Sequence, residues 1–376
     1  MSESSHRIDG YSCAKPDRVV GVYAHIPFCV EKCDYCSFHS VPFDINTASD
    51  YLSVLLNEIA SAPELRGAPV DTVYFGGGTP SLLDPREIES ILSAIGRCGI
   101  ISADAEITLE TNPAHFSRSR FAEYAHAGVN RVSCGVQTLD PHVYRTIGRK
   151  GGYADSDFLD QFSQISQRRA LDIMIGAGKS EQTLRELTQY PVNHFSAYIL
   201  SLDEGTPLAA SGFSPDEALQ CVEYRKICEV LSKYKFDHYE ISNFARSGEY
   251  SRHNLKYWNF EEYVGFGAGA HSFYGNIRWA NELLGPYLAS GGDCRIADSR
   301  TADQSAAEFI MTKLRLRGGF ALDEFAGRFN GDQNRRFLAA LDASGYDILR
   351  DGRVALSEED FLFLDEIISR LADPFV

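Results

Sequence analysis

Three cysteines, Cys29, Cys33 and Cys36, share one short polar loop in the stretch VVGVYAHIPFCVEKCDYCSFHS. Thiolates are soft ligands, and several converging on one point select iron–sulfur clusters, zinc or copper. The loop therefore reads as a metal centre. Three ligands are one short of the four that a structural zinc site or a four-iron cluster takes, so one coordination position is left open. His25 or His39 would complete a Cys3His zinc site, although C-x2-C is the commoner zinc half-site.

Other residues with chemical potential sit at the ends of apolar runs. Gly76-Gly77-Gly78-Thr79-Pro80 follows DTVYF and lets backbone approach a ligand closely, with amides expected to be free to donate. Glu110 ends the run in ITLETNP, and Gln137 ends the run in RVSCGVQTLD. Gly178-Lys179-Ser180 imitates a phosphate-binding loop, but the first glycine of that motif would fall at Ile173, which excludes a nucleotide hydrolase of that kind.

These residues need a frame. The core begins at Val19 after a polar tail, residues 1–18. A helix over 47–62, capped by Thr47 or Ser49, precedes a strand over 70–75. Helices over 84–97, 117–127, 155–168 and 181–190 then alternate with strands over 106–111, 131–136, 171–175 and 194–200. Short apolar strands alternating with amphipathic helices predict a parallel sheet covered by helices. Because the candidate residues follow strands, they gather on one rim, as at the C-terminal face of (β/α) barrels. The expected architecture is a partial (β/α)6 barrel over 19–236.

A long helix over 215–234 leads into an extension, 237–300, dense in aromatics, histidine and glycine. From 301 to 376 the pattern changes to a small, mainly helical module with helices over 303–315, 322–329, 332–343 and 357–372, and a hairpin turning at Asp351-Gly352. Helices with a two-stranded wing resemble a winged helix. The acidic setting favours a lid or docking surface over nucleic-acid binding.

Composition narrows the function classes. Lys and Arg number 36 against 52 Asp and Glu, a formal net charge of -16, with no basic run, so nucleic-acid binding is not expected. No signal peptide and no apolar run long enough to span a bilayer stands out, and a cytoplasmic protein is expected. Nine cysteines, three of them clustered, are unlike a disulfide framework.

The C-x3-C-x2-C loop with Tyr35 before its last cysteine, followed by GGGTP, resembles the radical S-adenosylmethionine superfamily. YAHIPFCVEKCDYC, YFGGGTPSLL, LETNP, GVNRVSCGVQTLD, YEISNFA, SRHNLKYW and GFGAGAHS together resemble the HemW haem-chaperone family, relatives of oxygen-independent coproporphyrinogen oxidase, over nearly the whole chain. The resemblance implies a 4Fe-4S cluster on Cys29, Cys33 and Cys36 with S-adenosylmethionine at the open iron. It implies S-adenosylmethionine contacts from Tyr23, Tyr35, Gly77, Gly78, Thr79, Glu110, Gln137, Arg149 and Asp172. It further implies haem as cargo and haem-accepting apoproteins as partners, and is compatible with a homodimer.

His253, Asn254, Tyr257 and Trp258 match the H-N-x-x-Y-W motif associated with haem in that family, and His271 is a second candidate ligand. Imidazole is a normal haem-iron ligand, and aromatics can flank a macrocycle. Two departures matter. The oxidase carries a fourth cysteine two residues after the third, where this chain has Phe38, which weakens a coproporphyrinogen dehydrogenase reading; a radical enzyme of that type is the alternative function. Where relatives read D-L-I-x-G-L-P-G-Q-T, this chain reads DIMIGAGKSEQT, so the loop after Asp172 is expected to sit differently.

Overall fold

The computed structural model describes residues 18–376, so the expected tail up to residue 17, with Cys13, lies outside the described residues. Six strands, β1 (Val20–Ile26), β2 (Pro69–Gly77), β3 (Ile100–Thr111), β4 (Arg131–Gln137), β5 (Arg168–Ile175) and β6 (His194–Ile199), lie side by side in chain order. Every neighbouring pair is parallel. Parallel neighbours need a crossover, and the helices Ile45–Ser61, Pro85–Cys98, Arg118–His126, Ser156–Phe162 and Ser180–Leu187 supply it. The result is the expected partial (β/α)6 barrel.

Strand periodicity sorts the faces. In β1, Val20, Val22, Ala24 and Ile26 are fully buried in the apolar core, so Tyr23 and His25 lie on the other face. Tyr23 is in register with Tyr74 of β2, and the two rings stack at 6.2 Å.

Several boundaries differ from the sequence reading. The first helix is capped by Asp44, whose carboxylate accepts from the Thr47 amide at 2.9 Å, rather than by Thr47 or Ser49. The helix expected over 155–168 stops at Phe162, because β5 begins at Arg168 and the intervening turn must bury Ile165. The last helix is split into a 3-10 turn, Asp360–Phe363, and a helix, Leu364–Ala372.

The extension was not legible as strands. β7 (Asp237–Glu240) and β8 (Asn243–Ala245) form a hairpin whose second strand pairs antiparallel with β6. The chain then crosses beneath the barrel and adds β9 (Tyr263–Phe266) parallel to β1, followed by an antiparallel meander, β10 (His271–Tyr274), β11 (Ile277–Asn281) and β12 (Arg295–Asp298). One twelve-stranded sheet results, in the order β12-β11-β10-β9-β1-β2-β3-β4-β5-β6-β8-β7.

The C-terminal module holds the helices Ala302–Lys313, Leu322–Arg328, Gly331–Ala343 and Leu364–Ala372 around Phe309, Phe320, Phe325 and Phe337. Its hairpin turns at Asp351 (φ 48°) and Gly352 (φ 73°), and Phe320–Ala321 adds a third strand. The module is joined to β7 by backbone: the Ile241 amide donates to Arg315 O at 2.9 Å and the Arg317 amide to Tyr239 O at 3.0 Å. Among the described residues no helix is long and apolar enough to cross a membrane.

Candidate metal centre

β1 delivers the cysteine loop directly to the C-terminal rim. The loop is closed at its base by the Val41 amide on Pro27 O (2.7 Å) and the Phe43 amide on Cys29 O (2.8 Å). Its middle is pinned at Asp34, which donates to Gly148 O and accepts from the Leu208 amide. Cys33 is buried, while Cys29 and Cys36 are half-buried. Burial pushes the Cys36 thiol up, and the charges of Cys33 and Cys29 push it further, so the three sulfurs share one electrostatic neighbourhood.

The two histidines that could complete a zinc site are already engaged. His25 Nδ1 pairs with the Tyr23 hydroxyl at 3.0 Å and its Nε2 with His39 O at 3.0 Å, while His39 Nε2 accepts from the Leu284 amide at 3.2 Å. Among the described residues, one group of three or more ligand types has all its donor atoms within 4.8 Å of one another, and it lies elsewhere.

A polar chain joins two of the cysteines. Cys29 Sγ lies 3.6 Å from the Thr79 hydroxyl, which accepts from Asn112 Nδ2 at 3.0 Å. Asn112 Oδ1 accepts from Arg149 Nη2, which also donates to Gly135 O at 2.7 Å. Arg149 Nη1 donates to Cys33 Sγ at 3.2 Å and to the Tyr35 hydroxyl at 3.3 Å, and the Lys150 amide donates to the same sulfur at 3.3 Å. Asn112 was missed from the sequence; its signal was its place in LETNP, two residues after Glu110.

The glycine turn differs in mechanism from the expectation. Its amides are not free: Gly77 donates to Glu110 Oε2 (3.2 Å), Gly78 to Ile26 O (2.9 Å) and Thr79 to Phe28 O (2.7 Å). Glycine is required by crowding instead. A Cβ at Gly77, whose φ is 114°, would meet the His25 ring at 2.6 Å, and one at Gly78 would meet Phe28 O at 2.5 Å. The glycines let the cysteine loop lie directly on β2.

Glu110 also accepts from the Tyr74 hydroxyl at 2.7 Å. Burial pushes its carboxyl up to about 7. Asp172 accepts from Ser133 Oγ at 3.0 Å, and burial pushes it up to about 6. Tyr74 feels both carboxylates, so the pair shares the barrel interior. Gln137 ends β4 after a bulge, with φ 67°, a left-handed conformation that non-glycine residues adopt at a cost.

The altered loop after β5 has an internal anion. Glu223, from the helix Glu217–Lys233, accepts from the amides of Gly176 (2.7 Å), Gly178 (3.4 Å) and Ser180 (3.1 Å). A carboxylate fills the place that a phosphate would take in the motif this loop imitates.

The HNLKYW segment lies away from that rim. It forms the helix Arg252–Trp258, which packs against the N-terminal halves of β2 and β3 and closes the barrel from below. Lys256 and Arg252 anchor it to Asp71 at 2.9 and 3.8 Å. His253 is fully buried, its Nδ1 2.9 Å from the Thr72 hydroxyl and its Nε2 2.8 Å from the Tyr257 hydroxyl. Its ring stacks on Tyr74 at 5.3 Å, and burial lowers its pKa to about 3. Asn254 is half-buried on the same helix. Trp258 lies under the Arg315 guanidinium at 5.1 Å, and its buried Nε1 has no acceptor among the described residues. His271 is exposed at the start of β10.

A barrel of this topology with three cysteines on the loop after its first strand defines a class, and residues 23–190 match the Radical SAM superfamily model. Residues 301–363 match the model of the HemN C-terminal domain. The chain is 32% identical over 385 residues, 95% of both chains, to the heme chaperone HemW of Mycobacterium tuberculosis. It is 32% identical to the heme chaperone HemW of Escherichia coli, covering 79% of this chain and 82% of that one. The chain belongs to the HemW family. Its fold is similar to that of coproporphyrinogen III oxidase (HemN) from Escherichia coli, with a TM-score of 0.80 at 20% identity over 95% of this chain and 91% of that one.

Proposed function

We propose that this protein is a cytoplasmic haem chaperone: it binds haem, passes it to haem-accepting apoproteins, and carries a 4Fe-4S cluster on Cys29, Cys33 and Cys36 with S-adenosylmethionine at the open iron. The observation that carries this reading is likeness to chains named heme chaperone across 95% of both sequences. The residues fit the cluster. Three thiols on one loop leave one position of a four-iron cluster open, and N–H donors from Arg149 and Lys150 aimed at Cys33 Sγ stabilise a ligating thiolate. Bound there, the cluster supplies redox chemistry or a structural element that controls transfer.

The chain's own residues then have defined tasks. Arg149 and Asn112 hold the loop against Thr79. Tyr23, Tyr35, Gly77, Gly78, Glu110, Gln137 and Asp172 line the ground beside it, where two interior carboxylates favour a cationic ligand such as S-adenosylmethionine. Phe38, 69% exposed on the loop, occupies the place of the oxidase's fourth cysteine, which favours the carrier over a coproporphyrinogen dehydrogenase. On the far side, His253, Asn254, Tyr257 and Trp258 remain the haem candidates, supported by the unmatched Trp258 N–H donor.

The test is an anaerobic haem titration of cluster-reconstituted protein followed by its Soret absorbance, then mixing with an apo-globin as acceptor. Saturation near one haem per chain with transfer to the globin is expected. Absence of saturable binding, together with formation of protoporphyrinogen from coproporphyrinogen under reducing anaerobic conditions, would replace the carrier by the enzyme.

A further inference from the structure

Away from the cysteine loop, three side chains of different type converge where the C-terminal module meets the barrel. Cys228 comes from the helix Glu217–Lys233, His238 from β7, and Glu358 from the segment leading into the 3-10 turn Asp360–Phe363. One ligand atom from each lies within 4.8 Å of the others. We infer that Cys228, His238 and Glu358 form a site for a zinc-type divalent cation that clamps the C-terminal module to the barrel.

The hydrogen bonds around His238 set its tautomer. Its Nε2 faces Ile241 O at 3.3 Å and the Tyr224 hydroxyl at 3.4 Å, and that hydroxyl itself donates to Ile241 O at 3.0 Å. A carbonyl only accepts, so the imidazole hydrogen belongs on Nε2. Nδ1 then presents a lone pair to Glu358 Oε1 at 3.3 Å. Two acceptors at that distance require a cation between them, either a proton or a metal. Cys228 supplies a thiol to the same point, its sulfur within 4.8 Å of both the His238 nitrogen and the Glu358 oxygen.

Sulfur, imidazole nitrogen and carboxylate with water in a fourth position is a zinc-type donor set. A histidine ligand whose other N–H is held by a backbone carbonyl is the usual outer arrangement of such sites. The ring is fixed by stacking on Phe244 at 4.1 Å and by Phe361 at 5.4 Å. Cys228 is buried and the Glu358 side chain is 45% exposed, which leaves a solvent-facing position for the water. Burial and the Glu358 carboxylate push the Cys228 thiol up, and the adjacent Arg317 guanidinium, held by Leu356 O at 2.7 Å, opposes that rise while also opposing a bound cation. Binding displaces the Cys228 thiol proton to solvent, with no change of oxidation state.

The clamp would bridge two segments that otherwise share the Arg225–Glu359 ion pair and the backbone bonds of Ile241 and Arg317. It stands whether or not the chain carries haem, so its test avoids that reading. The full-length chain with Cys29→Ser, Cys33→Ser and Cys36→Ser, which removes the loop thiols, is titrated with Co2+. Saturation at one Co2+ per chain with a sulfur-to-cobalt charge-transfer band, displaced by Zn2+, is expected. Cys228→Ser should abolish the band, and Glu358→Gln should weaken affinity at least about tenfold. Glu358 is partly exposed, so that variant folds and decides the matter if Cys228→Ser does not. No saturable Co2+ binding, binding without the band, or affinity unchanged in Glu358→Gln overturns the proposal. On cluster-reconstituted wild type, zinc retained through gel filtration at one per chain and lost in Glu358→Gln gives the same decision without the loop substitutions.

Discussion

Arg149 Nη1 lies 3.2 Å from Cys33 Sγ while Nη2 of the same guanidinium donates to Asn112 and to Gly135 O. A planar fork of donors is thus shared between a cysteine of the loop, the end of β4 and the residue following β3. This geometry belongs to arginine; lysine offers a single point of charge.

Cys33→Ser should therefore abolish cluster absorbance and iron retention after anaerobic reconstitution. Cys134, fully buried in β4 with its thiol pushed up by burial, is a core residue. Cys134→Ser should keep a full cluster. Arg149→Lys should retain the charge but lose the fork, lowering iron retention and costing about 1–3 kcal/mol of stability for the acceptors left unpaired. Iron and sulfide analysis beside urea unfolding checks all three; equal cluster content in Cys33→Ser and wild type would remove the ligand assignment.

Glu110 gives a pH dependence. Burial pushes its carboxyl up to about 7, above an ordinary glutamate, so between pH 4.5 and 7 the folded protein holds a proton that the unfolded chain has released. Its contribution to stability accordingly falls as pH rises through that window. A cationic ligand prefers the ionised form, so S-adenosylmethionine binding should tighten from pH 6 upward and level off above about 7. Glu110→Gln should flatten the profile and weaken binding by about 1.5–3 kcal/mol. Calorimetric titration across pH reads both effects; an unchanged profile in the variant would move the ligand away from Glu110.

For the haem motif, His253 separates two outcomes. Both ring nitrogens are engaged, so ligation through Nε2 requires release from Tyr257. Tyr257→Phe frees that nitrogen at a gain of about 1 kcal/mol, or roughly fivefold in haem affinity. His253→Ala should remove the imidazole signature from the haem spectrum. If it does not, His271, the exposed imidazole at the start of β10, is the ligand to test next.

Much of the barrel was legible because its signals are local. Apolar runs at strand length, each followed by an amphipathic stretch, gave β1 to β6 and the rim that carries Glu110 and Gln137. The edges were not. β9 is four residues long and reads as an apolar run inside a glycine-rich stretch, and its partnership with β1 is a contact across most of the chain. Only tertiary pairing makes it a strand. For the same reason the setting of His253 was not legible: nothing in HNLKYW reveals that Thr72 and Glu106 lie above it. The three cysteines were visible as types and spacing, whereas the Thr79–Asn112–Arg149 chain joins residues from three separate loops.

Glu58 shows what holds the added edge in place. Its carboxylate accepts from the Gly267 amide (2.8 Å), Asn281 Nδ2 (2.7 Å) and the Tyr287 hydroxyl (2.8 Å), tying the first helix to the turn after β9, to β11 and to the helix that follows. Burial raises its pKa, and the three donors oppose that rise. Glu58→Ala should leave three buried donors unpaired and cost about 3–5 kcal/mol, against about 1–3 kcal/mol for Glu58→Gln. Urea midpoints at constant slope measure the difference; equal losses would mean that side-chain volume, not hydrogen bonding, sets the site.

Gly78→Ala tests the seat of the cysteine loop itself. Gly78 has no left-handed backbone requirement, so the cost comes from the new methyl alone, which would lie 2.5 Å from Phe28 O. That neighbour is backbone and cannot rotate away, and Phe28 adjoins Cys29, so relief must lift the loop from β2. Gly327, in the helix Leu322–Arg328, has nothing within 4 Å of its added Cβ. Gly327→Ala should stabilise the chain by about 0.5–1 kcal/mol with cluster content intact. Gly78→Ala should instead lose cluster content and thermal stability together, and full iron retention in that variant would show that the loop does not need its close seat on the glycine turn.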